Sequence, residues 1–121
     1  MSPSKTAMLV GVALSLALGQ LLFKAAAERL PAEAGFDART FLALLGNWQL
    51  ALALIVYAGS TALWLFALKG TPLSQAYPFV AIAMVLVPLA AAMLLGETLT
   101  LSLVLGTLLV VAGVLVVALG H

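Results

Sequence analysis

Four apolar runs, each about as long as a bilayer is thick, decide most of what this chain can become. "ALALIVYAGSTALWLFAL", Ala51 to Leu68, carries no charged residue. Crossing roughly 30 Å of hydrocarbon takes about 20 such residues in a helix. Comparable runs cover about residues 6–27, 48–68, 73–95 and 99–119. None alternates strictly between apolar and polar positions, as the strands of a membrane barrel do. The expected fold is therefore all-α, an integral membrane four-helix bundle, with residues 1–121 as a single four-span domain.

Composition narrows the function. Charged residues make up 7% of the chain, against about a quarter in a soluble domain. A net charge of +1 offers no electrostatic footprint for nucleic acid. With no cysteine, disulfides, structural zinc sites and iron–sulfur clusters are excluded. The single histidine is the last residue, His121, so no internal His cluster is available either. We expect no metal, no cofactor and no catalytic group, and hence no enzyme. Lys5 ahead of an apolar run, with Ala25-Ala26-Ala27 behind it, imitates a secretory leader. The run is longer than the usual roughly 7–15 residues, and Lys24 would fall in the cleavage region, so the segment is expected to be retained.

The connections set the topology. Glu28 to Thr40 is the one substantial loop and holds three of the four acidic residues. "KGTP" (Lys69–Pro72) and "GETLT" (Gly96–Thr100) are short enough to force antiparallel neighbours. Lys5 and Lys69 mark one side, Arg29 and Arg39 the other, with Lys24 near the latter. The positive-inside bias is nearly balanced. Cytoplasmic termini are expected, and insertion in both orientations, giving antiparallel dimers, stays open.

Polar residues inside apolar runs need a reason. Leu16, Gln20 and Lys24 form one helical stripe, at i, i+4 and i+8. One reading is a snorkelling lysine paired with Glu28. The other is an amide and an ammonium that face the bundle interior and hold an anionic head group. Tyr57, Ser60, Thr61 and Trp64 share one face of the second run, as helix-packing groups or as a cavity wall. Trp48 suits the interfacial aromatic belt. "PLSQAYPFVAIAMVLVP" contains Pro78 and Pro88, which deprive the carbonyls of Ser74 and Met84 of their helical donors. Such carbonyls are tolerated in a membrane where neighbours or a cavity satisfy them. Gly106 and Gly113, seven apart in "GTLLVVAGVLVV", suit close approach of another helix and mark a candidate dimer interface. Glu97 is an ion-pair candidate for Lys24.

In order and spacing, "LGQLLFK", "TPLSQAYPFVAI", "LLGETLT" and "GTLLVVAGVLVV" resemble the drug/metabolite transporter superfamily in its smallest, four-helix form, over nearly the whole chain. Two branches compete. Small multidrug resistance antiporters carry a membrane-embedded glutamate two turns before a lysine resembling Lys24; here that position is Leu16. Their third-span tryptophan is missing as well, with Pro78, Phe79 and Val80 in its place, although Tyr77 matches their binding tyrosine. The EamA-like subunits that flip undecaprenyl phosphate-linked aminoarabinose are similar at Gly19, Gln20 and Lys24, and from Pro72 to Pro78.

The resemblance implies a flippase or flippase subunit for a polyprenyl phosphate-linked sugar, in lipid A and lipopolysaccharide modification at the bacterial inner membrane. It would work as a homo- or heterodimer with another four-helix subunit, among membrane lipids. Gln20, Lys24, Ser74 and Tyr77 would bind the substrate, while Tyr57, Thr61, Pro78 and Pro88 would shape the path. Two alternatives remain: a multidrug-type antiporter of small cations or metabolites, and a non-transporting scaffold for a glycosyltransferase.

Overall fold

Backbone N–H and C=O groups find no water in hydrocarbon, so the apolar runs fold as helices that satisfy them internally. The computed structural model describes residues 2–120, and every regular element among them is helical; His121 lies outside the described residues. Helix α1 runs Pro3–Glu28, with Ser2 accepting the Lys5 N–H and Pro3 in the first turn. A short α2, Ala38–Leu45, is capped by Asp37 and closed at Gly46. Helix α3 covers Trp48–Leu68 behind Asn47. Gly70, at φ +76, takes a backbone turn that a side chain would strain, and Pro72 then opens α4, Leu73–Ala76. After a 3-10 turn over Tyr77–Val80 the chain continues as α5, Ala81–Leu94. The last helix, α6, spans Leu101–Leu119 from a Thr100 cap.

Among the described residues, three segments are long and apolar enough to cross a membrane: Pro3–Glu28, Trp48–Leu68 and Leu73–Leu94. The third is not a continuous α-helix. Pro78 cannot donate to the Ser74 carbonyl, and the backbone answers by tightening into the 3-10 turn. Ahead of the second run, Ala38–Leu45 folds as the separate helix α2, cut off from α3 by Gly46 and Asn47.

Helices α1 and α3 pack along their length, α5 lies against α1, and α6 leans on α5 and the 3-10 turn. Most of the buried residues of α1 and α3 are small: Ala13, Ala17, Gly19 and Ala26 in α1, Ala53, Ser60 and Ala67 in α3. Without a hydrophobic force between helices in lipid, close van der Waals approach is what joins them. At Gly11 the fit is tight, since an added Cβ would stand 3.3 Å from the Leu63 side chain. Leu9, Ala67 and Ala76 form the fully buried cluster, with Trp64 and Phe79 packed on it.

Polar ties fix the register. At one end the Lys5 ammonium donates to the carbonyls of Phe66 (2.9 Å), Ala67 (3.2 Å) and Lys69, which the end of α3 leaves without helical donors. At the other end the Asn47 amide donates to the Ala26 carbonyl at 2.8 Å. Between them Ser60 donates to Ser15 at 2.6 Å.

Candidate functional site

A cavity of about 280 Å³ opens between α1, α3 and the 3-10 turn. Helix α3 supplies one wall through Tyr57, Ser60, Thr61 and Trp64, which the 3.6-residue repeat aligns on a single face. Val12 and Leu16 of α1 form the second wall, and Tyr77 and Val80 the third. No charged residue lines it. Two aromatic contacts shape its edges: Trp64 meets Tyr77 edge-to-face at 6.3 Å, and Phe23 meets Tyr57 at 6.2 Å.

A second, larger groove of about 540 Å³ lies between α6 and the broken third segment. Ser74, Tyr77 and Pro78 line it on one side, Val110, Gly113 and Val117 on the other. Tyr77 and Val80 belong to both spaces, so the 3-10 turn is the partition between cavity and groove. The Ser74 carbonyl, deprived of its donor by Pro78, therefore belongs to a residue that faces a groove, where such a group is tolerated in a membrane.

The residues singled out from sequence fall into four groups. Tyr57, Thr61 and Tyr77 line the cavity, while Ser74, Tyr77 and Pro78 line the groove. Pro88 lines a smaller space between α5 and α6. Gln20 and Lys24 line neither; they are exposed above the cavity. The stripe they share with Leu16 climbs α1 at about 1.5 Å per residue, so Lys24 stands about 12 Å along the axis from the cavity wall.

The Lys24 ammonium pairs with Glu28 at 2.6 Å, both side chains largely exposed (48% and 68%). Of the two carboxylates the sequence offers Lys24, Glu28 is the one within ion-pair distance, because i+4 on one helix brings the two side chains together, whereas Glu97 sits in the extended connection after α5. Gly113 faces the groove within the chain, and an added Cβ at Gly106 would meet nothing within 4 Å.

Sequence reading aligned Ser60 and Trp64 with Tyr57 and Thr61 but had no signal for Ser15, which meets Ser60 across the seam. One serine in an apolar helix looks like any other small residue until its partner helix is in place. Outside the membrane segments, the Thr40 N–H donates to Asp37 at 2.8 Å and holds that carboxyl below the usual range.

The EamA-like transporter family matches residues 4–119. Among curated relatives, the protein named as 4-amino-4-deoxy-L-arabinose-phosphoundecaprenol flippase subunit ArnF of Pseudomonas aeruginosa is 40% identical, with 84% of this chain and 80% of that protein covered. Its Erwinia tasmaniensis namesake is 36% identical over 89% of each chain. A protein of Hamiltonella defensa, named as subunit ArnE of the same flippase, is 41% identical over 59% of this chain, and the match spans 64% of its length, less than two thirds. No solved structure matches the chain. With segments able to cross a membrane and a transporter family over its length, this is a multi-pass membrane protein. The chain belongs to the EamA-like transporter family.

Proposed function

We propose that this chain is a non-enzymatic, four-span subunit of an inner-membrane flippase for a polyprenyl phosphate-linked amino sugar, working as a dimer with a second four-helix subunit. The names of its relatives supply the cargo class: 4-amino-4-deoxy-L-arabinose joined to phosphoundecaprenol. The observation that carries the reading is electrostatic. The cavity wall holds no carboxylate, Leu16 occupies its α1 side, and the charged residue on the same stripe is the cation Lys24.

A proton-coupled cation carrier needs an anion inside the membrane. A carrier of an anionic lipid needs the opposite: a cation at the mouth and a neutral passage beyond it. A charge at the bilayer centre costs roughly 3 kcal/mol on insertion scales, and a lysine near the helix end avoids most of that by reaching toward the head groups. In this reading the lipid phosphate takes the place of the Glu28 carboxylate on Lys24, Gln20 adds hydrogen bonds, and Ser74 and Tyr77 contact the cargo as it passes the 3-10 turn. The exposed Gln20–Lys24 stripe and the open flank of α6 at Gly106 supply the faces that a second subunit would cover.

The test is translocation in proteoliposomes of a prenyl phosphate carrying the amino pentose, read by accessibility of its amine to a membrane-impermeant reagent. Wild type is expected to move it, and Lys24→Ala to lose at least about tenfold in rate while assembling normally. Normal rates in Lys24→Ala would remove the phosphate role. Glu97, which a cation-antiport reading would need in the pathway, lies exposed in a connection, and no observation favours that reading.

A further inference from the structure

The serine and threonine hydroxyls at the cavity have their protons already committed. Each serine or threonine hydroxyl carries one proton and two lone pairs. Thr61 donates its proton to the Tyr57 carbonyl at 2.9 Å. Ser15 donates to the Val12 carbonyl at 2.9 Å. Ser60, only 4% exposed, has two acceptors in reach, the Ser15 hydroxyl at 2.6 Å and the Val56 carbonyl at 3.0 Å. Whichever it uses, its proton stays in the helix seam. Ser60 and Thr61 therefore present lone pairs to a ligand in the cavity, and no proton.

Around these acceptors stand the rings of Trp64, Tyr77 and Tyr57, whose faces carry negative potential. The tyrosine hydroxyls can turn to accept as well. Lys24, the cation of the α1 stripe, is two turns away, and its Glu28 pair keeps it at the membrane edge. An anionic phosphate inside this cavity would meet the Ser60 and Thr61 lone pairs and the π faces, with the neutral Tyr57 and Tyr77 hydroxyls as donors and no cation beside it. A hydrogen-bond donor would be well placed there, and one bearing a positive charge better still.

We infer that the cavity between α1, α3 and the 3-10 turn is the subsite for the protonated amine of the sugar, held by the Ser60 and Thr61 oxygens and by the Trp64 and Tyr77 rings, while the phosphate stays outside at Lys24. This rests on the flippase reading and adds to it a division of labour: charge capture at the mouth, amine selection inside. At about 280 Å³ the cavity is below the usual roughly 300–1,000 Å³ of small-molecule pockets, a size for one sugar ring and not for a lipid tail. Selection of an ammonium without a fixed carboxylate also leaves the cargo free to depart, since no buried ion pair has to be broken.

The experiment compares two prenyl phosphate pentoses, one with an amino group and one with a hydroxyl at the same carbon, binding to the full chain in lipid nanodiscs. Wild type should prefer the amino form by about tenfold, equal to about 1.4 kcal/mol. Thr61→Val, which keeps the shape and removes the acceptor, should cut the preference to about threefold or less, and Ser60→Ala should act in the same direction. The bare prenyl phosphate serves as the third lipid, and a wild-type midpoint of thermal unfolding by circular dichroism shows that Thr61→Val is folded. If wild type binds both pentose lipids within about twofold, or Thr61→Val keeps the full preference, the amine subsite is wrong while the flippase reading stands. If wild type binds none of the three prenyl phosphates, the flippase reading fails and the subsite with it.

Discussion

Asn47 and Ala26 join the two longest helices end to end: the buried Asn47 amide donates to the Ala26 carbonyl at 2.8 Å. The same side chain accepts from the N–H groups of Gln49 and Leu50 at 3.1 and 3.2 Å, capping α3. One residue thus caps α3 and ties it to the last turn of α1. Asn47→Ala removes the cap, worth about 1 kcal/mol, and the buried hydrogen bond to the Ala26 carbonyl, worth about 0.5–1.5 kcal/mol net, while that carbonyl keeps its bond from the Arg29 N–H at 3.2 Å. We expect a loss of about 1.5–2.5 kcal/mol, read as a lower midpoint of thermal unfolding by circular dichroism in detergent. Asn47→Asp keeps the cap acceptor but not the donor, and should fall between the two.

Lys5 tests the opposite end. Its ammonium sits over the Phe66, Ala67 and Lys69 carbonyls, the negative pole of α3. Lys5→Met keeps the stem and removes the charge. It should destabilise the α1–α3 pair by about 1 kcal/mol, with Lys5→Arg recovering part of the loss. Since Lys5 also counts toward orientation, insertion of Lys5→Met should be more mixed, as seen by accessibility of a cysteine introduced near the C-terminus.

Helix ends were legible because they are spelled in residue types with a local mechanism. Gly70 turns, Pro72 starts and Pro78 breaks, whereas the caps at Ser2, Asn47 and Thr100 stand out only once the helix ends are in place. The shared face of Tyr57, Ser60, Thr61 and Trp64 was legible too, since a helix fixes it. Contacts between helices were not. Whether that face packs or lines a space depends on α1 and on the 3-10 turn, which no periodicity of α3 reports. The same holds for Lys24: two carboxylates were available to it, and only the folded chain shows Glu28 alone within salt-bridge distance. Helix α2 escaped notice because its eight residues are too few for a convincing period.

Asp37 sets a pH dependence outside the membrane. Hydrogen bonding from the Thr40 N–H lowers its pKa in the folded chain relative to the usual value of 3.8. A lowered folded pKa contributes stability that is fully present above the unfolded value and is lost as pH falls through the folded one. Helix α2 should therefore hold its amide protection down to about pH 4 and lose it below. Asp37→Asn, which caps without titrating, should flatten that response in hydrogen exchange corrected for intrinsic rates. An equally steep loss in Asp37→Asn would place the titrating group elsewhere.

Pro78 sets stability against passage. A proline inside a helix costs about 3 kcal/mol because it withholds a donor and crowds the preceding turn. Here the cost is reduced, not abolished, by the 3-10 turn over Tyr77–Val80. Pro78→Ala supplies the N–H that the Ser74 carbonyl lacks and lets α4 and α5 run together as one helix. That change should raise stability by about 1–2 kcal/mol. It should also rotate Tyr77 and Val80, the two side chains that wall off cavity from groove. If cargo must pass that partition, translocation should fall at least about tenfold in a better-folded protein, a combination that simple damage does not produce. Transport at the wild-type rate in a stabilised Pro78→Ala would show that the broken third segment is only a packing solution, and would move the path elsewhere in the bundle.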